Sequence, residues 1–180
     1  MINNGIGSRS GRVNKKELED FKNVTDDKYI GQVYGKQAAL KRMLPKEKGT
    51  MILIGSALAY RGIPLQSAYC GAKHAIHGFF ESLRSELIHA KSNVKLSMVQ
   101  MPAMNTTQFG WVKSYLKKKR KIMGRIYEPE FAAKAVVQFA RDHQIELYFG
   151  YPSVQSILVN DIVPGYLDNY LAKTAFLVHL

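Results

Sequence analysis

The stretch Thr50–Lys73 constrains the fold more than any other part of the chain. It opens with an apolar run at 51–54, which is typical of a buried strand, and this run ends at Gly55 and Ser56. A loop containing glycine and proline follows, and a helical pattern then begins. That pattern carries Tyr69 and Lys73, which are four residues apart and therefore share one face of the predicted helix.

Tyr69 and Lys73 form a candidate pair for proton transfer. A tyrosine hydroxyl has a reference pKa of about 10, so it is a poor base near neutral pH unless something favours the phenolate. One ammonium at about 4 Å, at an effective dielectric near 20, supplies about 4 kcal/mol, or roughly three pKa units. Ser56 lies at the carboxyl end of the predicted strand, where open α/β sheets place their ligands. Its hydroxyl is suited to hydrogen-bond a substrate carbonyl while the tyrosine protonates it.

With Ser56, Tyr69 and Lys73 at this spacing, the chain resembles the short-chain dehydrogenase/reductase family. The signature of that family is a serine at a strand end followed by a Tyr-x-x-x-Lys helix. Alone, a Tyr-x-x-x-Lys pattern is more often a half-buried tyrosine beside a solvated lysine, but the serine and the strand favour the catalytic interpretation. The resemblance implies hydride transfer between NAD or NADP and a small-molecule carbonyl or alcohol. It also implies that Lys73 lowers the pKa of Tyr69 and holds the cofactor ribose.

The resemblance extends to residues expected to contact the cofactor. The segment that begins at Asn3 and Asn4 matches the start of the family's Asn-Asn-Ala-Gly motif, which implies that Asn4 lies beside the cofactor, although an ordinary Asn-Gly turn fits equally well. After a predicted strand at 94–101, Pro102 opens the segment in which the family places a threonine on the nicotinamide carboxamide. Either Thr106 or Thr107 fits that role.

The predicted domain organisation follows from the part of the family's domain that the chain resembles. At 180 residues the chain has the size of one domain, but its glycines do not have the three-glycine spacing of a dinucleotide-binding turn. The resemblance therefore implies an α/β fold that is the carboxyl-terminal part of a doubly wound, Rossmann-type parallel sheet with flanking helices. We predict one partial NAD(P)-binding domain over 1–180, amino-terminally truncated, with the first βαβ units missing. It includes a substrate loop at 108–125 and a helical tail at 151–180.

The segment before the central strand is predicted to be helical. Asn14–Glu17 resembles a capping box, and a second helical pattern at 30–43 places apolar residues on a face expected to meet the core or a subunit partner. In the resembled family this helix and the Tyr69 helix form the main dimer contact, which implies a homo-oligomer. Lys28 falls where the family usually carries an asparagine that connects the catalytic lysine to solvent. A charged lysine donates hydrogen bonds without accepting them, so the resemblance does not extend to this proton relay.

Charge and composition limit the remaining functions. The chain has 26 basic and 14 acidic residues, a net charge of +12, which raises nucleic acid or an anionic surface as a partner. Much of the excess lies at 117–121, which we interpret as a solvated helix face or loop because no zinc spacing or aromatic RNA motif accompanies it. We therefore predict no specific nucleic-acid partner. His74 and His77 are interpreted as surface histidines, and no metal site is predicted.

The expected setting is the cytoplasm. The single cysteine, Cys70, permits no internal disulfide, the first residues do not form a secretory signal, and no apolar run is long enough for a membrane span. The leading hypothesis is an oxidoreductase. The alternative is a non-catalytic truncated derivative that acts as an interaction or oligomerisation module.

Overall fold

The computed structural model describes residues 1–3, 9–105, 113–114, 126–142 and 144–177. The described part of the chain contains six strands: β1 (Ile2–Asn3), β2 (Arg9–Ser10), β3 (Thr50–Ile54), β4 (Lys95–Gln100), β5 (Lys113–Ser114) and β6 (Glu146–Tyr148). Four of them form a parallel sheet in the order β1-β3-β4-β6, and β2 pairs with β5 in a separate parallel pair.

The helices surround this sheet. They are α1 (Leu18–Thr25), α2 (Gly31–Met43), α3 (Ser67–His89), α4 (Pro129–Asp142), α5 (Tyr151–Ile162) and α6 (Pro164–Leu177). A π-helical turn, Asp26–Ile30, joins α1 to α2, and a short 3₁₀ turn, Ala57–Ala59, follows β3. Among the helices that the structure describes, none combines the length and the apolar character needed to cross a bilayer.

The two faces of the sheet each carry a hydrophobic core. Successive side chains of a strand point to opposite faces, so Met51 and Leu53 of β3 pack on one side while Ile52 and Ile54 pack on the other. The first core is completed by α2 and α3 and the second by α4. A parallel sheet covered by helices on both faces confirms the predicted α/β class.

The central elements lie where the sequence predicts them. The predicted strands that contain the apolar run at 51–54 and the segment 94–101 are confirmed as β3 and β4. The predicted helix that carries Tyr69 and Lys73 is confirmed as α3. The prediction of a capping box at Asn14–Glu17 is wrong. The helix begins at Leu18 after Glu17, whose side chain makes no capping bond. The Lys16 ammonium instead donates to the Leu65 carbonyl and the Ser67 hydroxyl, so tertiary contacts to the loop before α3 fix this segment.

The buried face of α2 is polar, which the apolar pattern at 30–43 did not predict. Gln32, Lys36 and Ala39 are buried, whereas Tyr34 and Ala38 of the predicted apolar face are exposed in the single chain. A tertiary bond holds this polar face against the sheet, because the Lys36 Nζ donates to the Ile52 carbonyl of β3 at 3.1 Å. The π turn precedes α2, and in it the Gly31 N–H donates to the Asp26 carbonyl, one residue beyond α-helical bonding.

Candidate active site

The site lies at the carboxyl ends of β3 and β4. The Gly55 N–H donates to the Val99 carbonyl at 2.8 Å, and the Ala57 N–H donates to the Met101 carbonyl at 3.4 Å. These bonds hold together the two segments that follow the strands, one carrying Ser56 and the other Pro102. Both predicted site residues therefore follow the edge of the sheet at which open α/β proteins bind ligands.

Ser56 is buried and its hydroxyl is oriented by its own loop. The residue has an extended backbone, and its Oγ accepts a hydrogen bond from the Leu58 N–H at 3.2 Å at the start of the 3₁₀ turn. A serine hydroxyl has one donor hydrogen and two acceptor lone pairs, so this bond leaves its O–H able to donate. The turn packs against α3, the helix that carries Tyr69.

Lys73 is fixed to the central strand. Its side chain is almost fully buried, with the residue 2% exposed, and its Nζ donates to the Ile54 carbonyl at 2.8 Å. The same Nζ lies 5.8 Å from the centroid of the Tyr69 ring. Burial, and secondly the charge of Lys28, lowers the pKa of Lys73 to about 7. The structure thus brings together the predicted pair, Tyr69 and Lys73.

Lys28 approaches the same tyrosine from the π turn. The residue is 3% exposed, and its Nζ lies 5.4 Å from the centroid of the Tyr69 ring. Burial lowers the pKa of Lys28 to about 8, while the neighbouring Asp27 acts in the opposite direction. Two ammonium groups therefore flank one aromatic ring. The resemblance singled out position 28 as a departure from the family, but local sequence patterns contain no signal for a contact between Lys28 and Tyr69.

A second polar cluster connects the loop after β3 to the edge strand β6. The Tyr60 hydroxyl donates to the Glu146 carboxylate at 2.6 Å and lies 2.8 Å from Nε2 of His77. Tyr148 donates to the same carboxylate at 3.0 Å, and the Gln100 amide also donates to it. Burial, followed by these bonds and the nearby negative charge, raises the pKa of Tyr60. The cluster anchors the segment that begins at Ser56, and sequence analysis missed it because its members are far apart in the chain.

The surface interpretation of the two histidines holds for one of them. His74 is exposed, whereas the His77 side chain is 17% exposed and lies within the Tyr60 cluster. The carboxylate of Glu81, one helical turn on, lies 3.6 Å from Nδ1 of His77. No group of three or more histidine, cysteine or acidic side chains in the described ranges is arranged to hold a metal ion.

Several predicted site residues lie outside the described residues. These are Asn4, Thr106 and Thr107, together with the basic run at 117–121. Of the predicted substrate loop at 108–125, the structure describes 113–114, which form β5. The roles assigned to these segments therefore stay predictions.

Comparison with known proteins identifies the family. A family model described as short chain dehydrogenase matches residues 1–117, so the chain belongs to the short-chain dehydrogenase family, as the resemblance predicts. The uncharacterized oxidoreductase YxnA of Bacillus subtilis is 29% identical over 177 residues, which cover 97% of this chain and 50% of that protein. Mouse dehydrogenase/reductase SDR family member 7C is 27% identical over 155 residues, covering 84% of this chain and 50% of that protein. The chain thus spans about half the length of these curated relatives.

Solved structures show the same fold. A short-chain dehydrogenase from Streptomyces avermitilis superposes with a TM-score of 0.73 at 21% identity, covering 97% of this chain and 66% of that one. A short chain dehydrogenase from Burkholderia cenocepacia, solved in complex with NADP, gives a TM-score of 0.75 at 20% identity. The match covers 94% of this chain and 67% of that one. At these identities the likeness concerns the fold.

Proposed function

We propose that this chain forms the proton-transfer part of an oxidoreductase site that uses NAD or NADP and acts on a carbonyl or alcohol carbon. The observation that carries the proposal is the position of Lys73. It is buried, bonded to the Ile54 carbonyl and close to the Tyr69 ring, just beyond the carboxyl end of a parallel strand. When bound, the nicotinamide supplies or accepts the hydride.

Each of three side chains has a separate role in this proposal. Tyr69 is the general acid in carbonyl reduction, giving its hydroxyl proton to the carbonyl oxygen, and the general base in alcohol oxidation. The ammonium of Lys73 favours the phenolate form of Tyr69. The O–H of Ser56 donates to the substrate oxygen, on which negative charge develops.

The described residues fit the nicotinamide end of the cofactor. Lys73 has three N–H donors, and the bond to Ile54 uses one of them, so the ammonium is able to bond ribose hydroxyls as well. Pro102 follows the same sheet edge, and we assign Asn4 and Thr106 or Thr107 to the cofactor on the family resemblance. The whole protein acts on a small molecule, in the cytoplasm, as a homo-oligomer. Exposed residues of α2 such as Tyr34 support the last point, because a second copy would cover them.

The test is a comparison of two tyrosine variants. The chain is fused behind the amino-terminal βαβ units of a relative, and NADH or NADPH oxidation is followed with a panel of aldehydes and ketones. We expect Tyr69→Phe to lower kcat/KM by about 10² to 10⁴, the contribution of a positioned acid or base. The matched control is Tyr151→Phe, because that tyrosine is 74% exposed and lies outside the site. Activity that survives Tyr69→Phe would contradict the catalytic assignment.

A further inference from the structure

Lys28 is a buried charge that the proposed reaction does not require. Burying a lysine is costly unless its ammonium gains favourable contacts. Here the residue sits in the π turn between α1 and α2, with its Nζ 5.4 Å from the Tyr69 ring centroid. Single π-helical turns are rare, and many of them lie at functional sites.

Lys28 shares with Lys73 a position close to the Tyr69 ring. Lys36, further along the chain on α2, is fully buried, and its Nζ donates to the Ile52 carbonyl of β3 at 3.1 Å. Lys73 likewise has a strand carbonyl, that of Ile54. Lys28 and Lys73 thus place two cations within cation–π range of one ring, the ring that carries the proposed acid and base.

We propose that Lys28 is a positioning residue that acts through Tyr69, its ammonium stabilising the phenolate together with that of Lys73. This inference rests on the proposed function, in which Tyr69 exchanges the proton with substrate oxygen. In the oxidation direction Tyr69 first loses its proton to solvent, and the phenolate then accepts the substrate hydroxyl proton. Lys28 keeps its own proton in both steps. Lys28 therefore contributes charge and transfers no proton.

The effect depends on the charges around Lys28. They include Asp27 in the same turn and Lys73 on α3, whose pKa the charge of Lys28 lowers. While Tyr69 is protonated, Lys28 is charged below its pKa of about 8 and loses its proton as the pH rises through that value. Because the coupling is reciprocal, formation of the phenolate holds the proton on Lys28 more tightly.

The experiment measures the pKa of Tyr69 in the 180-residue chain without cofactor or substrate. Tyrosine is labelled with carbon-13 at Cζ, the Tyr69 resonance is identified by its loss in Tyr69→Phe, and its chemical shift is followed against pH. We expect Lys28→Met to raise the pKa of Tyr69 by about one unit or more. Lys28→Arg keeps the charge, so the pKa of Tyr69 in that variant should stay close to its value in the parent chain. Lys36→Met is the matched control and should leave the pKa of Tyr69 unchanged.

Two results would overturn the inference. One is an unchanged pKa of Tyr69 in folded Lys28→Met, or in Lys28→Gln if the methionine variant does not fold. The other is an equal shift in Lys36→Met. If neither uncharged variant folds while Lys36→Met and Lys28→Arg do, the role of Lys28 is structural and the inference also fails. The outcome is separable from the proposed function: a shifted pKa in a protein that lacks Tyr69-dependent activity would refute the function and leave the Lys28 assignment intact.

Discussion

Lys28, Lys36 and Lys73 are buried lysines, and the last two donate to the Ile52 and Ile54 carbonyls of β3. Burial lowers the pKa of each, to about 8 for Lys28 and Lys36 and to about 7 for Lys73. In the unfolded chain a lysine titrates near 10.4, so between the two values the unfolded state binds more protons than the folded state. The free energy of unfolding contributed by each lysine therefore rises with pH across this window, and the cost of burying the charge is fully present below it.

The pH dependence of the free energy of unfolding is testable at Lys36, which is fully buried on α2. We expect Lys36→Met to be more stable relative to the parent chain at pH 7 than at pH 10. The difference should shrink by at most about 1.4 kcal/mol per pH unit once the pH exceeds about 8, because the parent then buries a neutral amine. Urea unfolding across this range measures the difference. A difference that does not vary with pH would mean that Lys36 titrates normally in the folded chain.

At the scale of single residues, the sequence predicts a site when the residues that form it are close together in the chain. Ser56, Tyr69 and Lys73 were identified because the strand end and the first turns of one helix are close in the chain. The approach of Lys28 to Tyr69 was not predicted, since it depends on how α1 and α2 cross α3 and on a π turn. A helical pattern of apolar residues contains no information on such a turn.

The elements around the site contain buried polar groups that the apolar pattern did not predict. Gln32 lies between Lys28 and Lys36 on the buried face of the helix, 1% exposed. Within the described part of the chain, neither its Nε2 nor its Oε1 has a hydrogen-bond partner. A buried polar group without a partner costs about 1–3 kcal/mol.

We therefore expect Gln32→Met, which keeps the length of the side chain, to stabilise the chain by about 1–2 kcal/mol. Thermal or urea unfolding measures the change. The exposed Gln37→Met on the same helix is the matched control and should change little. A clear loss of stability in Gln32→Met would show that the amide makes bonds in solution, for example to water or to a partner subunit.

The cluster of Tyr60, His77 and Glu146 yields a second prediction at the scale of elements. Glu146 accepts bonds from Tyr60, Tyr148 and Gln100, so Glu146→Gln removes the charge that these donors face. We expect a loss of about 1–3 kcal/mol in the free energy of unfolding. Glu81 is the other carboxylate beside His77, and its side chain is 65% exposed. Glu81→Gln should therefore lower the free energy of unfolding by less than about 1 kcal/mol. Equal effects of the two variants would mean that the cluster does not anchor the loop after β3.

At the scale of the whole molecule, the fold class was predictable from the sequence, whereas the strand order and register were not. The apolar run that became β3 is typical of a strand buried on both faces, and the family signature implied a parallel sheet. The strand order β1-β3-β4-β6 and the register, with Ile52 opposite Ile2 and Leu53 opposite Met98, depend on long-range packing that no local pattern contains. The same holds for Tyr60 and Glu146, which meet from opposite parts of the chain.

The central claim is that Tyr69 and Lys73 serve hydride transfer between a nicotinamide cofactor and a carbonyl carbon. The most direct measurement traces that hydride. The chain, fused behind the amino-terminal βαβ units of a relative, is incubated with a carbonyl substrate and with NADPH or NADH carrying deuterium at the transferable position, and the product is analysed by mass spectrometry and NMR. We expect deuterium on the carbinol carbon of the alcohol, formed much more slowly by Tyr69→Phe. An alcohol without deuterium, or equal rates of labelling by the parent and Tyr69→Phe, would contradict the account.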